Sequence, residues 1–125
     1  MKVLCLGSSG FVGRVLLDRF RDKSGWEIDG VNSSTLNLAK PGSVQELAER
    51  LDENTTLIFC ARATSPRLPW ERLKVDLEVI HNVVNALAQQ RVKKCLYFST
   101  LAVYDDSVTQ QNISEETGVF PQSPY

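Results

Sequence analysis

The sequence Gly7-Ser8-Ser9-Gly10-Phe11-Val12-Gly13 joins an apolar run of strand length, Val3 to Leu6, to a segment with helical apolar spacing, Phe11 to Phe20. Three glycines at this spacing, after a strand and at the start of a helix, are typical of a turn that binds a dinucleotide pyrophosphate. The pyrophosphate must approach backbone N–H groups that a Cβ atom would obstruct, and the helix start adds unpaired donors and a positive dipole end. A turn without a ligand is the alternative, but it does not by itself require three glycines. No Gly-Lys-Ser/Thr follows, which excludes a P-loop.

Strand-like and helix-like segments alternate after this turn. Short apolar or β-branched runs predict further strands over Trp26 to Val31, Thr35 to Leu38, Thr56 to Cys60 and Cys95 to Ser99. The continuous apolar character of the strands indicates a sheet covered on both faces. The alternation implies crossover connections and an α/β fold: a Rossmann-like, doubly wound parallel sheet of about five strands with helices on both faces.

Two more helices are predicted between these strands. The spacing of Ser43 and Glu46 is that of a capping box at the start of the first. The second carries an apolar stripe formed by Leu73, Leu77, Ile80, Val84 and Leu87. We interpret Leu73, Leu77 and Ile80 of this stripe as core or as a helix-pairing face of a parent dimer.

The composition limits the classes of function. The 125 residues, 42% of them apolar, are enough for one domain with its own core. The 14 Lys and Arg residues are balanced by 15 Asp and Glu residues, which argues against nucleic acid as a partner held by overall charge. No apolar run approaches a membrane span, and no signal peptide is seen, so no membrane partner and a cytoplasmic location are expected.

The cysteines do not indicate a metal site. Cys5, Cys60 and Cys95 form no Cys-x-x-Cys pair, and His81 is the single histidine of the sequence. Each cysteine lies in or beside an apolar run, so we expect three reduced, buried thiols and no bound metal.

The choice of dinucleotide depends on the end of the second strand. An NAD site usually places a carboxylate there, about 20 residues after the glycine turn, for the ribose 2′-OH. Asn32, Ser33 and Ser34 occupy these positions. The missing carboxylate removes a repulsion that would exclude a 2′-phosphate, for which Ser33, Ser34 and Arg14 are candidate contacts. The pattern favours NADP, with NAD as the alternative.

Four stretches together resemble one known family. They are the glycine turn, Leu36-Asn37-Leu38, the segment Leu96-Tyr97-Phe98-Ser99-Thr100-Leu101-Ala102-Val103-Tyr104, and Ser123-Pro124-Tyr125. In this combination the chain resembles the extended short-chain dehydrogenases/reductases, the NAD-dependent epimerases and dehydratases of nucleotide sugars. Asn37 replaces the usual aspartate of the family, and Asp76 stands where the family has an asparagine at a helix start, whereas Asn82 matches a later asparagine.

The resemblance implies a proton relay and a set of cofactor contacts. Thr100 and Tyr125 take the catalytic positions, with Tyr125 as the acid/base that exchanges a proton while hydride passes to or from nicotinamide. The lysine that lowers the tyrosine pKa in the family stands four positions later, beyond this sequence. The predicted cofactor-binding residues are Gly7, Ser9, Gly10, Phe11, Val12, Gly13, Asn32, Ser33, Asn37, Leu38, Cys60, Ala61, Arg62 and Ser99.

The expected organisation follows from these assignments. Residues 1–104 are an NAD(P)-binding Rossmann domain, and 105–125 are a loop-like tail leading to the truncated Tyr-x-x-x-Lys motif. The C-terminal part of the parent fold is expected to be missing. The parent would be an NAD(P)-dependent epimerase, dehydratase or reductase of a nucleotide-linked sugar, and this chain alone would be inactive. A homodimer is one candidate assembly of the parent. The alternative is a non-catalytic NAD(P)-binding or redox-sensing module.

Overall fold

A parallel sheet between two layers of helices makes up the part of the chain that the computed structural model describes, which is residues 1–63, 68–100, 103–104, 112–119 and 121. In chain order its elements are β1 (Lys2–Leu6), α1 (Phe11–Arg21), β2 (Glu27–Val31), α2 (Ser43–Arg50), β3 (Thr55–Phe59), α3 (Pro69–Gln89) and β4 (Lys94–Tyr97). The predicted α/β, Rossmann-like parallel sheet with helices on both faces is confirmed. Within the described residues no helix is long and apolar enough to span a bilayer.

The strand order β2-β1-β3-β4 places β1 at the centre of the sheet. Leu6, the last residue of β1, is paired with Val31 of β2 and with Phe59 of β3, and all neighbouring strands in this sheet are parallel. The chain therefore goes to one side of β1 for β2 and passes to the other side for β3. The direction of winding changes between β1 and β3, and open α/β sheets bind ligands outside the carboxyl ends of the strands at such a point.

The side chains of β1 are buried on both faces of the sheet. Leu4 and Leu6 belong to the larger core cluster, which packs against α2 and α3, whereas Val3 and Cys5 belong to the cluster beneath α1. This explains why β1 reads as a continuous apolar run rather than an alternating one. The Leu47 side chain of α2 fills the larger cluster with 0% exposure, and burying a leucine in this way contributes about 1.5–3 kcal/mol.

The predicted strand over Thr35 to Leu38 is wrong, and the described part of the sheet has four strands rather than five. This segment is a turn because the Asn32 side chain binds the backbone beyond it: its Oδ1 accepts the N–H groups of Ser34 and Thr35 at 2.8 and 3.2 Å. Such an Asx turn competes with strand pairing. Leu36 and Leu38 remain buried in the larger cluster, which explains the strand-like pattern in the sequence.

The predicted capping box at α2 is also wrong. The N-cap is Gly42, and Ser43 is already the first helical residue. The Ser43 hydroxyl instead donates to the backbone carbonyl of Leu38 at 3.2 Å, inside the core. The serine therefore ties α2 to the preceding turn rather than to its own first turn.

The buried face of α3 is offset from the predicted apolar stripe. The residues buried in α3 are Val79, Asn82, Val83 and Ala86, whereas Leu77 and Val84 are each 56% exposed. Both sets have helical spacing, so periodicity alone does not distinguish them. Of the two roles predicted for Leu73, Leu77 and Ile80, the structure does not support a core role for Leu77 and Ile80.

β4 is an edge strand, and this corrects the expectation that Cys95 is buried. Among the described elements β4 contacts only β3, and Cys95 and Leu96 are exposed. Cys5 is buried and Cys60 is half-buried, so the prediction of buried thiols holds for Cys5.

Candidate functional site

The glycine turn connects β1 to α1 at the carboxyl edge of the sheet. The backbone N–H groups of Gly7 and Ser8 both donate to the Val31 carbonyl, at 2.9 and 3.0 Å, which fixes the turn to the end of β2. The Gly10 N–H donates to the Gly7 carbonyl at 3.0 Å and closes the turn on itself. The predicted residues Gly7, Ser9 and Gly10 therefore lie where β1 ends and the winding of the sheet reverses.

The three glycines of the turn have different steric surroundings. Gly7 has a φ of +93°, and a Cβ there would lie 2.7 Å from the backbone of Ala61. A Cβ on Gly13 would overlap the Gly7 carbonyl oxygen and approach Ser8 Cα to 2.8 Å. Gly10 is exposed, with a φ of −73°, and its nearest neighbour for a Cβ would be the Gly7 carbonyl oxygen at 3.2 Å. Internal packing therefore explains the glycines at 7 and 13, whereas it requires little of the glycine at 10.

Gly30 of β2 completes the packing of the turn, and sequence reasoning missed it. A Cβ on Gly30 would lie 2.7 Å from the Cβ of Ser8 and 2.9 Å from Leu17 Cδ1. A glycine inside a strand often marks a close approach of another segment, which is the signal that the sequence offered.

The start of α1 is open toward this edge of the sheet. Gly10 is the N-cap, and among the described residues no side chain caps the helix and no acidic residue lies in its first turn. Phe11 is 79% exposed and Val12 is half-buried. The first helical N–H groups and the positive end of the helix dipole can therefore receive an anion.

A cleft of about 440 Å³ opens between the glycine turn and the carboxyl ends of β3 and β4. It brings together six of the residues predicted for cofactor binding and catalysis, which are Val12, Cys60, Ala61, Arg62, Ser99 and Thr100. Its wall is completed by side chains of β3, α3, the end of β4 and the segment after it, including Phe59, Asp76, Ile80, Tyr97 and Phe98. Thr100 is half-buried, whereas Tyr125 lies outside the described residues.

The loop after β2 is held by its own side chains. The Thr35 hydroxyl accepts the Asn32 N–H at 3.0 Å, in addition to the two bonds that the Asn32 amide oxygen accepts. Ser33 and Ser34 are exposed at the tip of this loop. Asp29 is the carboxylate of β2 nearest to the end of the strand, two residues before it. Its Oδ2 forms an ion pair with the Arg50 guanidinium of α2 at 3.6 Å. These positions flank the glycine turn on the side opposite the cleft.

Asn82 of α3 anchors the segment around Asn37 and Leu38. Its buried amide nitrogen donates to the carbonyls of Leu38 and Lys40, at 2.9 and 3.3 Å. The Asn37 side chain accepts the Ala39 N–H at 3.1 Å and remains exposed. Sequence reasoning matched Asn82 to the family without a role; a polar residue on a buried helix face was the available signal.

Asp76 of α3 fixes the loop that follows β3. Its carboxylate accepts the Ala63 N–H at 2.6 Å, a charge-assisted hydrogen bond to the backbone two residues beyond Ala61. No pattern in the sequence explains a carboxylate at this position. The structure places it at the wall of the cleft, where it holds the floor residues Cys60 to Arg62 in position.

Comparison with known proteins links this geometry to a family. The profile of the NAD dependent epimerase/dehydratase family matches residues 3–125. The chain is 30% identical over 129 residues to a GDP-6-deoxy-D-talose 4-dehydrogenase of Aggregatibacter actinomycetemcomitans, covering 100% of this chain and 44% of that protein. The solved structure of RMD from Pseudomonas aeruginosa, complexed with NADPH, is 25% identical with a TM-score of 0.74, covering 99% of this chain and 44% of that one. A dTDP-4-dehydrorhamnose reductase from Clostridium acetobutylicum, 21% identical, has a TM-score of 0.77 over 100% of this chain and 45% of that chain. The chain thus spans less than half the length of these relatives.

Proposed function

The chain belongs to the NAD dependent epimerase/dehydratase family, and on that premise we propose that residues 1–104 bind a nicotinamide dinucleotide for a nucleotide-sugar epimerase, dehydratase or reductase. The observation that carries the proposal is the open start of α1 beside Gly10, at the mouth of the cleft. An anion-binding helix start and an adjacent cleft at the reversal of the winding are the two parts that a dinucleotide site needs.

The residues around the turn suit the successive parts of the dinucleotide. The N–H groups of Phe11 and Val12 would receive the pyrophosphate, and Gly10 leaves room for it because it carries no Cβ. The adenosine half would lie on the β2 side, against Asn32, Ser33 and the Asn37-Leu38 segment. The nicotinamide half would enter the cleft along Cys60, Ala61, Arg62 and Ser99, which all line it.

The catalytic proposal rests on Thr100 and Tyr125. When bound, nicotinamide gives or takes a hydride. Thr100 lines the cleft and would hold the reacting hydroxyl or carbonyl of the sugar by a hydrogen bond. Tyr125 would exchange the proton, for which its pKa must fall from the unperturbed value of about 10, and a lysine beyond residue 125 is the expected cation. Residues 105–125 would lead from the nucleotide domain to this motif.

The direct test of nucleotide binding is calorimetric titration of the chain with NADPH and, separately, NADH. Binding of either supports the proposal, and tighter binding of NADPH supports the selectivity predicted from Asn32, Ser33 and Ser34. Ser33→Asp restores a carboxylate at the end of β2 and is expected to weaken NADPH more than NADH, because it repels a 2′-phosphate. Failure of both nucleotides to bind would refute the proposed function.

The reaction is tested in a protein extended beyond residue 125 to the length of the relatives. Tyr125→Phe in that protein should abolish turnover of a nucleotide sugar and leave nucleotide affinity unchanged. Unchanged turnover would exclude Tyr125 as the acid/base. A protein that binds nucleotide but turns over no nucleotide sugar would instead support the alternative, a non-catalytic binding module.

A further inference from the structure

Cys5 and Cys60 form a pair of thiols beneath the cleft, and the reaction proposed above does not use their sulfur chemistry. Cys5 belongs to β1, Cys60 directly follows β3, and their Sγ atoms lie 3.8 Å apart. Cys5 is 1% exposed, whereas Cys60 is half-buried and lines the cleft. We propose that this pair is a modification site for hydroperoxides, at which Cys60 is oxidised first and Cys5 then closes a disulfide with it.

The surroundings of the two sulfur atoms make them chemically unequal. The hydrogen bond with Cys5 lowers the pKa of Cys60 to about 7, although burial acts in the opposite direction. The same hydrogen bond, together with burial, raises the pKa of Cys5 well above its usual value. Cys60 is therefore the thiol of the pair that ionises more readily, and in its protonated form it donates to the Leu6 carbonyl at 3.1 Å. It also borders the cleft, where a hydroperoxide can reach it, whereas Cys5 is buried. An accessible thiolate beside a second thiol is the arrangement found in peroxide-sensitive cysteine pairs.

The two chemical steps balance with a hydroperoxide as the oxidant. The Cys60 thiolate attacks the terminal oxygen, an S–O bond forms, and the O–O bond breaks. Sulfur loses two electrons, the peroxide is reduced, and its other oxygen leaves as hydroxide or alkoxide. The Cys5 sulfur then attacks the Cys60 sulfenic acid, so that an S–S bond forms and the oxygen leaves as water with the Cys5 proton.

A disulfide here would disturb the glycine turn. The S–S bond is about 2.05 Å long, so the sulfur atoms must approach by about 1.8 Å. Cys60 precedes Ala61, whose backbone packs so closely on Gly7 that a Cβ there would lie 2.7 Å away. Movement of Cys60 is therefore transmitted to the turn that we propose binds the pyrophosphate. This consequence depends on the proposed function, whereas disulfide formation does not.

Peptide mapping after peroxide treatment tests the pair directly. Cys95→Ser is the background, because Cys95 is exposed and would link separate molecules. The reduced protein is treated with hydrogen peroxide, alkylated and digested with trypsin, which places Cys5 in the peptide 3–14 and Cys60 in the peptide 51–62. We expect these two peptides to be linked, with the loss of two hydrogens, and to separate on reduction. This measurement needs no substitution in the core.

The order of the steps is tested with Cys5→Ala in the same background. Dimedone, which traps sulfenic acid, should then label Cys60. In the protein that keeps both Cys5 and Cys60, oxidation of Cys60 to sulfinic acid without any linked peptide would overturn the proposal. So would an unmodified Cys60 under conditions that oxidise glutathione in the same tube.

Titration with NADPH measures the effect of the disulfide on nucleotide affinity, independently of whether the disulfide forms. The linked protein is expected to bind NADPH roughly tenfold more weakly, with recovery after dithiothreitol. Equal affinity of the linked and reduced forms would refute the coupling to the glycine turn. If the reduced protein binds no NADPH, the proposed function fails, while the linked peptide still decides whether the cysteine pair reacts.

Discussion

The substitution Gly10→Ala tests whether the glycine turn binds a ligand or is rich in glycine only because its packing is tight. Internal packing requires glycine at 7 and 13, so loss of function at those positions would be ambiguous. At Gly10 the backbone has a φ of −73° and a ψ of 170°, which alanine adopts without strain. The new Cβ would lie 3.2 Å from the Gly7 carbonyl oxygen, a contact relieved by a shift of a few tenths of an ångström.

The expected change in stability is small at this position. Alanine is a poorer N-cap than glycine by about 0.5–1 kcal/mol, and the reduced freedom of the unfolded chain offsets about 0.4–1 kcal/mol. The free energy of unfolding should therefore change by less than about 1 kcal/mol. Nucleotide affinity should fall by more than about tenfold, since the methyl group occupies the approach of the pyrophosphate to the N–H groups.

Gly13→Ala is the matched control. Its Cβ would overlap the Gly7 carbonyl oxygen and press on Ser8 Cα, both backbone atoms, so we expect a loss of about 1–3 kcal/mol or more. Urea unfolding followed by tryptophan fluorescence measures the stability of both variants. Trp26 packs on Phe20 of α1 with ring centroids 5.0 Å apart, so its environment changes when α1 unfolds. NADPH titration of folded Gly10→Ala tests whether the pyrophosphate binds at the glycine turn. An affinity within about twofold of that of the wild type would refute such binding.

Three further predictions concern the supports of the site and the base of the sheet. Asp76→Ala should weaken nucleotide binding because it removes the acceptor of the Ala63 N–H. Asp76→Asn keeps an acceptor oxygen, so its nucleotide affinity in the same titration should stay close to that of the wild type. Equal affinities of the two variants would contradict this role of Asp76. Asn82→Ala should lower the free energy of unfolding in urea by about 1–3 kcal/mol. Asn82→Asp should lower it further at neutral pH, because the new carboxylate would face the carbonyls of Leu38 and Lys40. Acidification should reduce the difference in stability between the two variants, and a difference that does not change with pH would contradict this explanation. The hydrogen bond from Lys2 lowers the pKa of Asp52 from 3.8 to about 2, so its stabilisation is present above pH 3.8 and lost as the pH falls to about 2; Asp52→Asn should therefore be less stable than wild type at neutral pH and approach it in acid.

The sequence allowed the central part of the fold to be predicted because its signals are local. The apolar run of β1, the glycines after it and the spacing within α1 each report a property of one segment. The turn at Asn32 was missed because it depends on where one amide side chain binds. The buried face of α3 was missed because this helix carries two apolar faces, and only contact with the sheet distinguishes them.

The grouping of several predicted residues at one edge of the sheet follows from the sequence, whereas the hydrogen bonds that support this edge do not. Six of the predicted residues line one cleft, since parallel strands bring their carboxyl ends to one edge of the sheet. The bonds of Asp76 to Ala63 and of Asn82 to Leu38 join positions 13 and 44 residues apart, and no pattern in the sequence encodes such pairs. The positions of Asn37 and Leu38 likewise depend on a turn that periodicity had placed in a strand.

The central position of β1 has a consequence for how the chain acquires its structure. β1 is synthesised before both of its partners, which are β2 at Glu27–Val31 and β3 at Thr55–Phe59. Both hydrogen-bonding edges of β1 are therefore paired only after segments some 25 and 50 residues later in the chain have been synthesised. Non-local parallel pairing of this kind slows folding and exposes an aggregation-prone segment in the meantime. Dilute, cool refolding should accordingly recover more native protein than rapid refolding at high concentration.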